Sequence, residues 1–232
     1  MKTFVIALFI ISCTLFLSCE KESDGTSIPT SSATDSIPPV ITLIGSNPMQ
    51  LEMLQFYIEP GVIANDNEDG DISSSVNVDT SLIDNRLPGT YDVFYTVSDA
   101  AGNPADALRD VVVYATNNAL AKTYNVVDSV FTISGVFIQV FSYSQTLTAS
   151  GSNVNIYSLF GDYPGLSSNV TSTVDGNGNI TLPSQTKSVG SGDSHTFSGT
   201  GQVTSNGFLL VYTDVNNTAS ASANCRAHYT RQ

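Results

Sequence analysis

The chain has 232 residues, a formal net charge of −13, 3 cysteines, 10 tyrosines and no tryptophan. Its 8 basic residues are outnumbered by 21 acidic ones, so it lacks the Lys and Arg clusters that phosphate backbones and anionic headgroups require. Nucleic acid is thereby excluded as a partner. At the start of the chain, Lys2 precedes an uncharged run from Phe4 to Leu17 that ends in Ser18 and Cys19, the anatomy of a cleaved signal peptide over residues 1–18. That run is shorter than the ~18 residues a spanning helix needs, and Ser12 and Thr14 interrupt it.

The segment Leu15-Phe16-Leu17-Ser18-Cys19 resembles the lipobox of bacterial lipoproteins, with Phe16 where Leu is usual. The resemblance implies cleavage before Cys19 and a lipid on its thiol, hence a membrane anchor. The following Cys19-Glu20-Lys21-Glu22-Ser23-Asp24 is similar to the charged export signal of Bacteroidetes lipoproteins, which implies the outer membrane and its external face. Cleavage removes Cys13 and Lys2 but no acid, so the mature chain is one unit more negative still. With Cys19 lipidated, Cys225 is the remaining thiol, no intramolecular disulfide can form, and the fold must rest on its cores. From Ser23 to Ile37 the chain is Ser, Thr, Asp and Pro with almost nothing apolar. Such a stretch cannot offset the entropy of ordering, so residues 19–37 are expected to be a lipidated tether.

Residues 38–115 form the first predicted folded segment. Val40-Ile41-Thr42-Leu43-Ile44, Val76-Asn77-Val78, the run from Tyr91 to Val97, and Val111-Val112-Val113-Tyr114 are rich in β-branched and aromatic residues, with turn formers between them. Short strands at this spacing predict a β-sandwich. Pro38-Pro39-Val40-Ile41-Thr42-Leu43, Glu59-Pro60-Gly61-Val62, Asp66-Asn67-Glu68-Asp69-Gly70-Asp71-Ile72, Pro88-Gly89-Thr90-Tyr91 and Val97-Ser98-Asp99-Ala100-Ala101-Gly102-Asn103 occur in that order. Together they resemble the bacterial immunoglobulin-like domain of the DUF5011/HYR group. The resemblance implies a sandwich of about seven strands acting as a spacer or adhesive module, without catalysis.

The acidic stretch in this segment is a candidate metal loop. Asn65, Asn67, Asp69 and Gly70 reproduce the first half of an EF-hand, but its twelfth position is Val76 and no helical pattern flanks it, so an EF-hand is rejected. A looser calcium site drawing on Asp66, Asp69, Asp71 and Asp99 stands beside the plainer reading, in which these acids cap a turn.

A break at residues 115–122 separates this segment from a second all-β region, 123–232. Candidate strands there are 124–134, 137–149, 153–159, 169–175, 179–183, 194–204, 208–215 and 219–230. Asp175-Gly176-Asn177-Gly178 and Asn206-Gly207 are strong hairpin signals, so consecutive strands are expected to pair antiparallel as a meander. About eight such strands predict a closed barrel or a flattened sandwich of the same order. In the last strand Ala221, Ala223, Cys225, Ala227 and Tyr229 alternate with polar residues, which puts Cys225 on the buried face. The terminal Cys225-Arg226-Ala227-His228-Tyr229-Thr230-Arg231 resembles the last strand of lipocalin-like domains in such lipoproteins. That likeness implies a barrel able to enclose a small apolar ligand, although an eight-stranded barrel can equally be filled by its own side chains.

No catalytic constellation emerges, and the chain is expected not to be an enzyme. Gly192-Asp193-Ser194-His195 is similar to the nucleophile block of GDSL hydrolases, but His195 stands where Leu is required and no Asp-x-x-His follows. With 2 histidines and no matched third ligand, a catalytic zinc site has no basis either. Binding is the class left. The stretch 157–166 gathers aromatics, an acid and turn residues, so Phe160, Asp162 and Tyr163 are candidate ligand contacts, against the alternative that the loop plugs the barrel end. Two functions are open: a surface module holding a glycan or small ligand on an immunoglobulin-like spacer, or a structural or adhesive envelope protein whose partner is another protein.

Overall fold

The computed structural model describes residues 35–159, 169–189 and 192–232. Seven strands, β1 (Val40–Leu43), β2 (Met49–Glu52), β3 (Val62–Asp66), β4 (Gly70–Asp71), β5 (Asn77–Asp79), β6 (Gly89–Ser98) and β7 (Pro104–Tyr114), make up the first segment. They form two sheets, β1-β3-β4 and β2-β7-β6-β5. All pairs are antiparallel except β2–β7, which is parallel. This is the sandwich that the short, turn-punctuated strands predict. Val93, Tyr95 and Val97 on β6 and Val111 and Val113 on β7 point inward, as period-2 alternation demands.

The sandwich core contains a fully buried cation. Arg109, on β7, is 0% exposed, and its guanidinium finds a partner on every side. Nε donates to Tyr95 Oη at 2.9 Å, Nη1 to the Ser46 carbonyl at 2.6 Å and Nη2 to the Ile44 carbonyl at 2.7 Å. Nη2 also lies 3.6 Å from Glu59 Oε1. Glu59 in turn accepts from Tyr57 Oη, Tyr95 Oη and the Gly61 amide. A buried cation is tolerated only when paired and hydrogen-bonded in this way.

The second segment comprises β8 (Thr123–Thr132), β9 (Phe137–Thr146), β10 (Thr148–Ser150), β11 (Asn153–Ile156), β12 (Val170–Val174), β13 (Asn179–Val189), β14 (Asp193–Thr204), β15 (Gly207–Asn216) and β16 (Ala221–Arg231). They pair as one antiparallel sheet in the order β10-β11-β12-β13-β14-β15-β16-β8-β9. The two ends of that order, β9 and β10, are parts of one continuous strand interrupted at the buried Leu147. The sheet therefore returns on itself as an eight-stranded barrel with meander connections. Asp175–Gly178 makes the β12–β13 turn, and Ser205–Asn206 makes the β14–β15 turn, with Gly207 already the first residue of β15.

The barrel interior is occupied by its own side chains. Tyr124, Val126 and Val130 from β8, Phe197 from β14, Phe208, Leu210 and Tyr212 from β15, and Cys225, Ala227 and Tyr229 from β16 are buried together with Ile180 and Leu182. Rings of Phe208 and Tyr229 stack at 4.1 Å, and Tyr124 meets both edge-on. Space for Tyr212 comes from Gly199, its register partner on β14. A Cβ at Gly199 would collide with the Val211 carbonyl oxygen and sit 2.7 Å from Tyr212 Cβ.

The stretch between the segments is a packed junction. Helix α1 (Asn117–Leu120) begins with Thr116, whose hydroxyl accepts from the Ala119 amide at 3.1 Å, a standard N-cap. Ala119 and Leu120 are buried in a core cluster that runs from Leu51 and Met53 of the sandwich to Tyr124 and Val126 of the barrel. Polar ties cross the same junction. The Ala115 amide donates to the Gly176 carbonyl, the Val174 amide to Asn117 Oδ1, and the Tyr124 hydroxyl to the Leu120 carbonyl. Residues 35–232 form one unit.

Candidate functional site

The acidic stretch singled out in the sequence folds as the tight β3–β4 hairpin. Asp66 ends β3, and its Oδ1 accepts from the Glu68 and Asp69 amides, each at 2.9 Å, an Asx turn that fixes the carboxylate. Gly70, at φ +71°, closes the hairpin in the left-handed region. Asp99 directly follows β6 and caps the β6–β7 turn. Its Oδ1 accepts from the Asn103 amide at 2.8 Å and its Oδ2 from Asn103 Nδ2 at 2.7 Å. Burial works against the charge on Asp99, but these bonds and the Gly102 and Ala101 amides outweigh it, so its pKa lies below the usual carboxylate range.

Carboxylate oxygens of Asp66 and Asp99 converge with one from Asp35, all within 4.8 Å of one another. Asp35 is held there by the Ile37 amide and Asn67 Nδ2, which both donate to its Oδ1, and by Asn103 Nδ2, which donates to its carbonyl. Asp66 is 9% exposed and Asp99 7%. The second oxygen of Asp66, Oδ2, is sealed from solvent and accepts no hydrogen bond. Neither of the two ion pairs among the described residues involves this group.

The group of acids that converges differs from the expected set in two respects. Asp69 and Asp71 stand outside the group: Asp69 Oδ2 accepts from the Ala100 amide at 2.6 Å, tying the two turns together, and Asp71 Oδ1 accepts from Ser73. Those bonds to Ser73 lower the Asp71 pKa. Asp35 was assigned to the tether by composition, yet it belongs to the folded unit. The signal that would have found it is its place as the last acid before Pro38-Pro39, where the chain must enter beside the two turns.

Cys19 and the loop contacts Phe160, Asp162 and Tyr163 lie outside the described residues. What precedes that loop is firmly held: Gln145 donates to the Ser158 carbonyl at 2.8 Å and accepts from the Tyr157 and Ser158 amides.

The two histidines lie on opposite faces of the barrel wall. His195 faces inward, 2.7 Å from Asp214 Oδ1 and stacked on Phe197, whereas His228 is exposed. Burial raises the Asp214 pKa despite that partner. Ser194 adjoins His195 on β14, so their side chains leave opposite faces of the sheet. The GDSL-like tetrad therefore builds no Ser–His pair. Tyr212 Oη donates to Asp128 Oδ2 at 2.5 Å inside the barrel, and burial drives the Tyr212 hydroxyl well above its ordinary pKa. These are interior polar groups that hold the barrel's packing.

One surface feature was not anticipated. The β8–β9 hairpin projects as an apolar ribbon, with Ile133, Val136, Phe137, Ile138 and Val140 each more than half exposed. Phe131 braces it edge-on against Phe137 at 5.8 Å.

Fold and site together describe an all-β chain in which an immunoglobulin-like sandwich is fused to a filled barrel. Residues 41–113 match the family model described as bacterial surface protein, Ig-like domain, which covers the sandwich and leaves the barrel outside. No curated protein matches the chain. Among solved structures, a lipoprotein from Bacteroides thetaiotaomicron is 19% identical at a TM-score of 0.35, covering 84% of this chain and 100% of its own. The CBM51-2 domain in complex with GlcNAc and INT domains from Clostridium perfringens ZmpB is 14% identical at 0.29, covering 83% of this chain and 44% of that one. At such scores neither likeness carries a ligand or an activity over to this protein.

Proposed function

We propose that this chain is a non-catalytic module of the bacterial cell envelope, anchored by lipid on Cys19 to the outer membrane and surface-exposed. In this reading the immunoglobulin-like segment is a stiff spacer and the barrel is a binding head. One observation carries it: the chain enters and leaves the sandwich at opposite ends. Asp35 sits beside the Asp99 turn, whereas the barrel joins at Tyr114, and β6 and β7 run the length between. Ten paired residues of β6 at ~3.3 Å each give a spacer of roughly 33 Å. The continuous core at α1 keeps the head from swinging.

The filled interior argues against an enclosed apolar ligand and for binding on the outer surface. A protein partner is favoured over a glycan by the exposed apolar ribbon at Ile133–Val140, in which Phe137 is the single aromatic among four aliphatic side chains, whereas sugar rings are usually gripped between several aromatic faces. The test is a binding screen of the mature chain, residues 20–232, against oligosaccharides and purified surface proteins of the source bacterium, with Ile138→Lys/Val140→Lys alongside. Saturable binding to a protein, abolished in the variant, is expected. Binding to an oligosaccharide that the variant retains would transfer the function to a glycan. A lipid on Cys19 is checked by palmitate labelling, which Cys19→Ala must abolish.

A further inference from the structure

The three carboxylates at the entry of the sandwich form an arrangement that hydrogen bonding alone leaves incomplete. Oxygens of Asp35, Asp66 and Asp99 share a space no wider than 4.8 Å, two of the side chains are at least nine-tenths buried, and among the described residues no Lys or Arg pairs with them. Like charges this close repel strongly where water is excluded. The surrounding donors satisfy Asp99 and Asp66 Oδ1, but Asp66 Oδ2 is buried and accepts from nothing. A sealed, unpartnered carboxylate oxygen on a member of a cluster of like charge points to a cation.

We infer that Asp35, Asp66 and Asp99 bind a calcium ion that clamps the start of the folded chain to both sheets of the sandwich. The donors are all hard oxygens, which suits calcium or magnesium and not zinc or copper. Calcium–oxygen distances of ~2.3–2.6 Å place ligands on opposite sides of the ion about 4.6–5.2 Å apart, so a shared space of 4.8 Å fits. Magnesium, at ~2.0–2.1 Å and reluctant to shed water, wants a tighter octahedron. Asp66 belongs to the β1-β3-β4 sheet and Asp99 directly follows β6 of the other sheet. Asp35 precedes both, so one ion joins three parts of the chain at this end of the sandwich. The remaining coordination positions fall to water or to the Asn67 side-chain oxygen. The inference is independent of what the barrel binds.

The experiment titrates calcium chloride into chelator-treated mature protein, residues 20–232, by calorimetry and follows melting by circular dichroism. One ion per chain is expected, with Kd of about 0.1–1 mM, as for extracellular calcium modules. At about 10 mM free calcium this predicts a rise in Tm of about 3–10 °C. Asp66→Asn should abolish the heat and the shift. Asp35→Ala, at the solvent-accessible edge, should weaken binding at least about 10-fold without unfolding the protein, while the distant Asp79→Asn should bind as the parent does. Absence of saturable heat in the parent, unchanged affinity in Asp35→Ala and Asp66→Asn, or equal affinity for magnesium would overturn the assignment.

Discussion

Replacing Arg109 with Met tests whether the buried charge of the sandwich is a structural keystone. The substitution keeps much of the side-chain volume and removes the cation. The Ile44 and Ser46 carbonyls and Tyr95 Oη then lose their donor, and Glu59 loses the guanidinium 3.6 Å away. Breaking a buried pair by deleting one partner costs about 3–5 kcal/mol, and for a chain of this size that lowers Tm by about 6–20 °C. Urea unfolding followed by far-UV circular dichroism measures it. There is also a pH signature. Burial pushes the Glu59 pKa up, but bonds from Tyr57, Tyr95 and Gly61 and the charge of Arg109 bring it to a net value below the ordinary one. A carboxylate with a depressed folded pKa contributes stability above its unfolded value, ~4.3, and loses it as pH falls through the folded value. In Arg109→Met that loss should set in at higher pH. The double variant Arg109→Met/Glu59→Gln should regain part of the stability at neutral pH. A single-variant cost under about 1 kcal/mol, with an unchanged acid limb, would refute the reasoning.

Three further outcomes follow from the packing. Gly199→Ala should destabilise the barrel by about 1–3 kcal/mol or more, because the added methyl meets the Val211 carbonyl and Tyr212 backbone, not a movable side-chain tip; a parental urea midpoint would count against it. Leu120→Asp should split a single unfolding transition into two, since it puts an unpaired charge in the core that joins sandwich and barrel; two transitions already present in the parent would disprove the coupling. Cys225 should resist iodoacetamide in the native protein and react on unfolding, because burial pushes its thiol up to about 12 and only the thiolate attacks.

The barrel was largely legible from the sequence because its strands are long, alternate cleanly and turn at the Asp-Gly signal and within one residue of the Asn-Gly signal. Even the successive segments β9 and β10 correspond to one predicted strand, 137–149, and the interruption at Leu147 lies within it. The sandwich was harder to read. β2 is four residues, Met-Gln-Leu-Glu, and pairs in parallel with the distant β7, so neither hairpin spacing nor β-branched content announces it. β3 reads Val-Ile-Ala-Asn-Asp and merges into the acidic turn. Arg109 gave no signal at all, because a lone Arg in a strand is ordinarily a surface residue. Its burial depends on carbonyls from residues 44 and 46 and a carboxylate from residue 59, which only the fold brings together.

The carboxylate cluster shows the same limit in a more useful form. Composition marks the Asp66–Asp71 stretch as a candidate loop, but ligand spacing along one loop does not reach a group of acids drawn from three parts of the chain. Asp71 is taken up by the nearby Ser73 amide and hydroxyl, as an Asx turn uses the nearest donors, whereas Asp69 is held by the Ala100 amide of the neighbouring turn. What distinguishes Asp66 from them is the oxygen left over once its turn is satisfied. That leftover acceptor, buried beside two other acids at the point where the chain enters the sandwich, is a property of the assembled sheets. That end of the sandwich is the one most exposed to fraying, since the shared core with the barrel secures the other. A cation there would stabilise the end that the shared core cannot reach.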